Sequence, residues 1–73
     1  MSTKPYAIHA AHIEADGLRL GLKPRARART LAEALRLAGQ PQHQGDDGAA
    51  IVCPDGRIIY SDEEYRAAEG ETR

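Results

Sequence analysis

Between positions 17 and 35 the chain reads GLRLGLKPRARARTLAEAL, and its cations fall on alternate positions. They are Arg19, Lys23, Arg25, Arg27 and Arg29, with Gly21 filling the remaining place in the series. In an extended strand, alternate side chains share a face and lie about 6.6 Å apart. Guanidinium and ammonium groups at that spacing suit a row of phosphates or of protein carboxylates. No aromatic residue interleaves with them, so stacking on single-stranded bases is not the expected chemistry. One or two such cations would only solubilise an exposed strand and guard its edge. Five in one register point to a contact surface. Charge contributes more to encounter and specificity than to affinity, so tight docking also needs an apolar centre. Val52, Ile59 and Tyr60 are its candidates.

Other chemistry is thinly represented. His9, His12, His43 and Cys53 are the soft metal-ligand candidates. The H-x-x-H spacing puts its two histidines on opposite faces of a strand, though on one side of a helix, and no second pair has zinc-site spacing. Surface histidines and a small buried thiol account for these residues, and no metal is expected. Asp62, Glu63 and Glu64 would open a helix, where the dipole favours acids; the other reading is imitation of nucleic-acid charge. The sequence contains no G-x-S-x-G, no phosphate-cradling glycine loop and no H-E-x-x-H. Cys53 precedes a proline with no obvious base nearby, and so short a chain has little room for a concave pocket. Neither enzymatic activity nor a cofactor is expected.

The elements that must present the cations follow from local signals. Asp16-Gly17 suits a tight hairpin turn. Beyond it, Leu18, Leu20, Leu22, Pro24, Ala26 and Ala28 alternate with the cations, the pattern of a half-buried strand. Pro24 cannot donate to a ladder, which implies an edge strand in two pieces with a bend or bulge between them. Before Asp16, YAIHAAHIEA fits either a strand or a helix starting after Thr3, with Pro5 in its first turn. The hairpin signal favours the strand, although Ile8 and Ile13 have opposite parity and a bulge would have to repair it. Thr30 and Glu33 form a T-x-x-E capping box before Leu31, Ala34, Leu35 and Ala38. Gly39 suits a left-handed helix end, and Pro41 prevents resumption. Residues 40–48 read as a loop. Pro54-Asp55-Gly56 joins two β-branched runs, 49–53 and 57–60, into a second hairpin. Ser61 and Glu64 form another capping box, opening a short helix, and residues 70–73 are expected to fray.

The order is β-β-α-β-β with a short C-terminal helix: an α+β domain, its antiparallel sheet covered on one face by one helix. Leu18, Leu20 and Leu22 should lie beneath that helix and the cations on the uncovered face. The other expected core residues are Ile8, Ile13, Leu31, Leu35, Leu37, Ile51, Val52, Ile58 and Ile59. The second hairpin is apolar on both faces, so part of it would stay wet without a partner or a second copy.

Seventy-three residues make one small domain, 1–73, with no Phe or Trp. Scaffolds of this size are marginal and usually gain stability from a disulfide, a metal or a partner. The lone Cys53 allows no internal disulfide, which points to a cytoplasmic setting. No apolar run approaches a membrane span, and the N-terminus makes a poor signal peptide. The net charge of −1 conceals a division. Residues 1–44 hold seven Lys/Arg against three acids, +4, and residues 45–73 hold three against eight, −5. Opposite-signed halves bear on association more than on fold.

RTLAEALRLA is similar to the T-L-x-E-A-L helix of HicB-type antitoxins, where it also follows a hairpin; CPDGRIIY departs from that pattern, so no antitoxin site is carried over. The whole outline, two hairpins flanking one helix with segregated charge and a lone cysteine, resembles very small phage-borne inhibitors, among them anti-CRISPR proteins. That resemblance implies a non-enzymatic inhibitor or regulator that occupies a protein partner's surface and blocks nucleic-acid entry to a CRISPR effector. The alternative is a dimeric, antitoxin-like regulator binding nucleic acid directly through the basic strand face. A plain homodimer joined through the sheet is the third reading. No membrane partner is expected.

Overall fold

The computed structural model describes residues 5–73, so Thr3, the alternative helix start, lies outside the described residues. The first strand, β1 (Tyr6–Glu14), is a strand as favoured, and it is the centre of the fold. Its hairpin partner comes in two pieces, β2 (Gly17–Leu20) and β3 (Ala26–Ala28). Helix α1 (Leu31–Ala38) follows, then a 3-10 turn (Pro41–His43), β4 (Ala49–Val52), β5 (Ile58–Ile59) and helix α2 (Asp62–Glu71). The strands form an antiparallel sheet in the order β2-β1-β4-β5, with β3 also pairing with β1. This is an α+β architecture.

Local chemistry sets the boundaries. The first turn is Ala15–Asp16, and Gly17, at φ +127°, is already paired with Glu14. The expected turn is therefore displaced by one residue, and the glycine takes the backbone shape that an L side chain resists. At the second hairpin Gly56 has φ +94° and donates its N–H to the Cys53 carbonyl at 2.9 Å. The Asp55 carboxylate accepts the Arg57 N–H at 3.0 Å.

Thr30 caps α1 by accepting the Glu33 N–H at 3.2 Å, one half of the expected box. The full reciprocal box is at α2: Ser61 Oγ accepts the Glu64 N–H at 3.2 Å, and Glu64 Oε1 accepts the Ser61 N–H at 2.9 Å. Gly39 ends α1 at φ −79°, not in the left-handed region. The His43 ring closes that end instead, its Nδ1–H donating to the Leu37 carbonyl at 2.8 Å. Helix α2 continues through Glu71, into the stretch expected to fray, with Thr72 as its C-cap.

The core lies between one sheet face and the helices. Ile8, Ile51 and Ile59 are its largest fully buried side chains, and alanines fill the rest: Ala28, Ala34, Ala38, Ala49 and Ala68. Leu31, Leu35, Leu37, Tyr6 and Tyr65 pack around them, half-buried. Small side chains let helix and sheet approach closely, at the cost of little apolar area per residue. Tyr65 adds a polar tie, its hydroxyl donating to the Ala49 carbonyl at 2.6 Å, and burial pushes that hydroxyl's pKa upward.

Six expected core residues lie outside this core: Ile13, Leu18, Leu20, Leu22, Val52 and Ile58. Ile13, Leu18, Leu22 and Ile58 are exposed, Leu22 at 95%. For Leu18 and Leu22 the cause is the connection between β2 and β3. Ala11 pairs with Leu20, and Ile8 with Ala26. Three steps along β1 are thus matched by six along its partner, an excess of three. An odd excess reverses which residues face the core. Ala26 and Ala28 share the face of Ile8 and point inward, whereas Leu18 and Leu20 share the opposite face with Ile13. The leucines therefore do not lie beneath α1, and the parity mismatch of Ile8 and Ile13 is left unrepaired in β1, with Ile13 in the open.

Candidate docking surface

The bend at 21–25 governs where the cations sit. Gly21 donates its N–H to the Ala10 carbonyl at 2.9 Å, and Arg25 donates to the Ile8 carbonyl at 2.7 Å. Both ends of the excursion are therefore anchored to β1 on either side of His9. The His9 ring fastens it further, its Nδ1–H donating to the Gly21 carbonyl at 3.0 Å. Ala26 is the register partner of Ile8, so Arg25 and Ala26 together oppose one residue, as in a bulge.

The cations consequently do not form one row. Arg19 is opposite His12 and Arg27 opposite Ala7, residues of opposite parity on β1, so the two arginines lie on opposite faces of the sheet. Arg19 is also engaged within its own hairpin, donating from Nη1 to Glu14 Oε1 at 2.9 Å. Lys23 occupies the bend, and Arg25, Arg27 and Arg29 are exposed in and around β3. Pro24 and Ala26 between them are half-buried and Ala28 is buried, so the expected alternation holds over 24–29. Among the described residues none of Lys23, Arg25, Arg27 and Arg29 has a carboxylate within ion-pair distance. The surviving charged segment is Lys23–Arg29, at one edge of the sheet.

Arg27 opens a row running across the sheet: Ala7 is opposite Arg27, Val52 opposite Ala7, and Ile58 opposite Val52. Their side chains point away from the core, because the adjacent Ile8, Ile51 and Ile59 fill it. Val52 and Ala7 are half-buried and Ile58 is 39% exposed. No helix among the described residues covers this face; α1 packs on the core side and α2 against α1 and β5. The result is an apolar strip bordered at one end by arginines.

Two expected members of the apolar centre are elsewhere. Ile59 is 2% exposed and belongs to the core, a consequence of its pairing with Ile51. Tyr60 follows β5, separated from β3 by both β1 and β4, and its hydroxyl donates to the Asp47 carbonyl at 2.9 Å. It is not beside the arginines. Ile58, read from the sequence as core, takes the place expected of Ile59.

The acids gather toward the other edge. Asp62, Glu63 and Glu64 occupy the first turn of α2. Glu64 is held below the usual carboxylate range by the backbone and hydroxyl of Ser61, then by the Tyr60 N–H. Among the described residues no group of three or more His, Cys, Asp or Glu comes together that could hold a metal ion. Cys53 is buried. No helix among the described residues is long and apolar enough to cross a membrane. Comparison of the chain with protein-family models, with curated proteins and with solved structures gives no match.

Proposed function

We propose that this chain is a non-catalytic docking protein, an inhibitor or regulator that covers an acidic, partly apolar surface on a protein partner. The observation that carries this reading is the row Arg27–Ala7–Val52–Ile58 on a sheet face without a covering helix. Arg25, Arg27 and Arg29, with Lys23 beside them, supply steering and charge recognition; Val52 and Ile58 supply area that can be dried. An apolar centre favours a protein over a bare phosphate backbone, which would be met by cations alone. Blocking nucleic-acid entry to an effector complex is the specific form of this activity that a likeness to anti-CRISPR proteins implies.

Two measurements test the proposal. Charge reversal of Arg25, Arg27 and Arg29 to Glu, and separately Ile58→Asp, should each abolish capture of one discrete protein from extracts of the native host. Fluorescence anisotropy with labelled duplex and single-stranded DNA at physiological salt should show no binding by the wild type. Salt-sensitive binding to free nucleic acid, unaffected by Ile58→Asp, would support the direct nucleic-acid regulator instead.

A further inference from the structure

The outer edge of β2 carries a second, independent surface. We propose that it pairs with the same edge of a second copy of this chain, extending the sheet across a two-fold axis at Leu20. Gly21 turns its N–H toward β1, so by the alternation of an antiparallel ladder Gly17 and Arg19 do the same. The N–H and C=O of Leu18 and Leu20 therefore point outward, and no backbone partner in the described chain takes them. Around this open edge stand Ile13, 53% exposed, with Leu18 and Leu22. Edges of this kind are ordinarily guarded by charge or proline. Here the only edge cation, Arg19, is already engaged by Glu14.

The sequence of the edge selects its partner. A two-fold axis perpendicular to the sheet pairs residues of the same parity. Centred on Leu20, it sets Leu20 against Leu20, Leu18 against Leu22, and Arg19 against Gly21. Lys23 of each copy then approaches the hairpin turn of the other, where Asp16 is exposed and has no ion pair of its own. Centring on Arg19 would oppose two arginines. Centring on Leu18 would set Leu20 against Asp16. The β3 edge is closed to a second copy by Arg25, Arg27 and Arg29, whose charges would meet their own kind. β2 itself ends at Leu20 and Leu22 stands at the start of the bend, so the outer pairs of this ladder fall at the bend, the ladder is short and the dimer is weak, with a Kd on the order of micromolar.

Sedimentation equilibrium of the full chain over a concentration series tests this. The wild type should pass from the 7.9 kDa monomer to twice that mass. Leu22→Lys, at a position too exposed to affect folding, should raise the Kd by about tenfold or more with an unchanged circular dichroism spectrum. Leu20→Cys should be joined to a second copy by a short bis-maleimide, whereas Leu18→Cys and the wild type, whose Cys53 is buried, should not. A wild-type monomer at roughly millimolar protein overturns the proposal. So does a dimer that ignores Leu22→Lys, or one joined through Leu18→Cys in preference to Leu20→Cys. Loss of dimerisation in Leu22→Lys with partner capture retained leaves the docking face intact, which separates this inference from the proposed function.

Discussion

Two isoleucines on β1 allow a strict comparison, because residue type, strand and substitution are all held constant. Ile8 is fully buried between the sheet and the helices, and Ile13, five residues on, is 53% exposed on the opposite face. Truncating Ile8 to Ala removes packed methyl and methylene groups and leaves a cavity among Ile51, Ile59 and alanines too small to collapse into it. That class of change costs about 2–5 kcal/mol. A 73-residue domain has a total stability of roughly 4–11 kcal/mol, so Ile8→Ala should remove a large share of it. Ile13→Ala leaves no enclosed cavity and should cost below about 1 kcal/mol. Urea denaturation followed by far-ultraviolet circular dichroism reads both, with the midpoint falling steeply for Ile8→Ala and little for Ile13→Ala. Equal losses, or the larger loss at Ile13, would refute the assignment of faces.

Three further outcomes follow from local geometry. Tyr65→Phe leaves the carbonyl of buried Ala49 without its donor and should cost about 1–2 kcal/mol in the same denaturation assay. Gly45→Ala places a Cβ 2.9 Å from the Ala11 carbonyl oxygen and 3.0 Å from Ala10 Cβ; the backbone must shift, at about 1–3 kcal/mol. Glu64 has a lowered folded-state pKa, so the stability it contributes is fully present above its unfolded value, about 4.3. That contribution disappears as pH falls through the lower folded-state value. Thermal melts from pH 6 down to pH 2 should show Glu64→Gln losing less stability than the wild type over that lower interval.

Much of the architecture was legible in the residues because short-range chemistry decides it. Thr30, Ser61 with Glu64, Pro54-Asp55-Gly56 and the alternation at 24–29 each act over six residues or fewer, and each has the expected kind of role. Pro24 correctly announced a strand in two pieces. How many residues the bend would consume could not be read, because that depends on where β1 accepts the chain again, at the Ile8 carbonyl. An excess of two would have kept Leu18, Leu20 and Leu22 above the core and the cations in one row. The excess of three inverts the leucines and divides Arg19 from Arg27. The alanine core was illegible for a different reason: alanine carries little hydrophobic signal, and its burial is set by how closely α1 approaches the sheet. Ile58 and Ile59 were indistinguishable as adjacent β-branched residues until the pairing with β4 assigned one to each face.

The inversion at 21–25 is what puts Arg27 in one row with Val52 and Ile58, and proton NMR can read it without any substitution. Neighbours in the non-bonded pairs of an antiparallel ladder bring their Cα atoms to about 4.5 Å, close enough for strong Hα–Hα cross-peaks. The inverted register requires such a cross-peak between Ala11 and Leu20 together with one between Ala7 and Arg27. A cross-peak joining Ala7 to Pro24, as an uninterrupted register would produce, would contradict it.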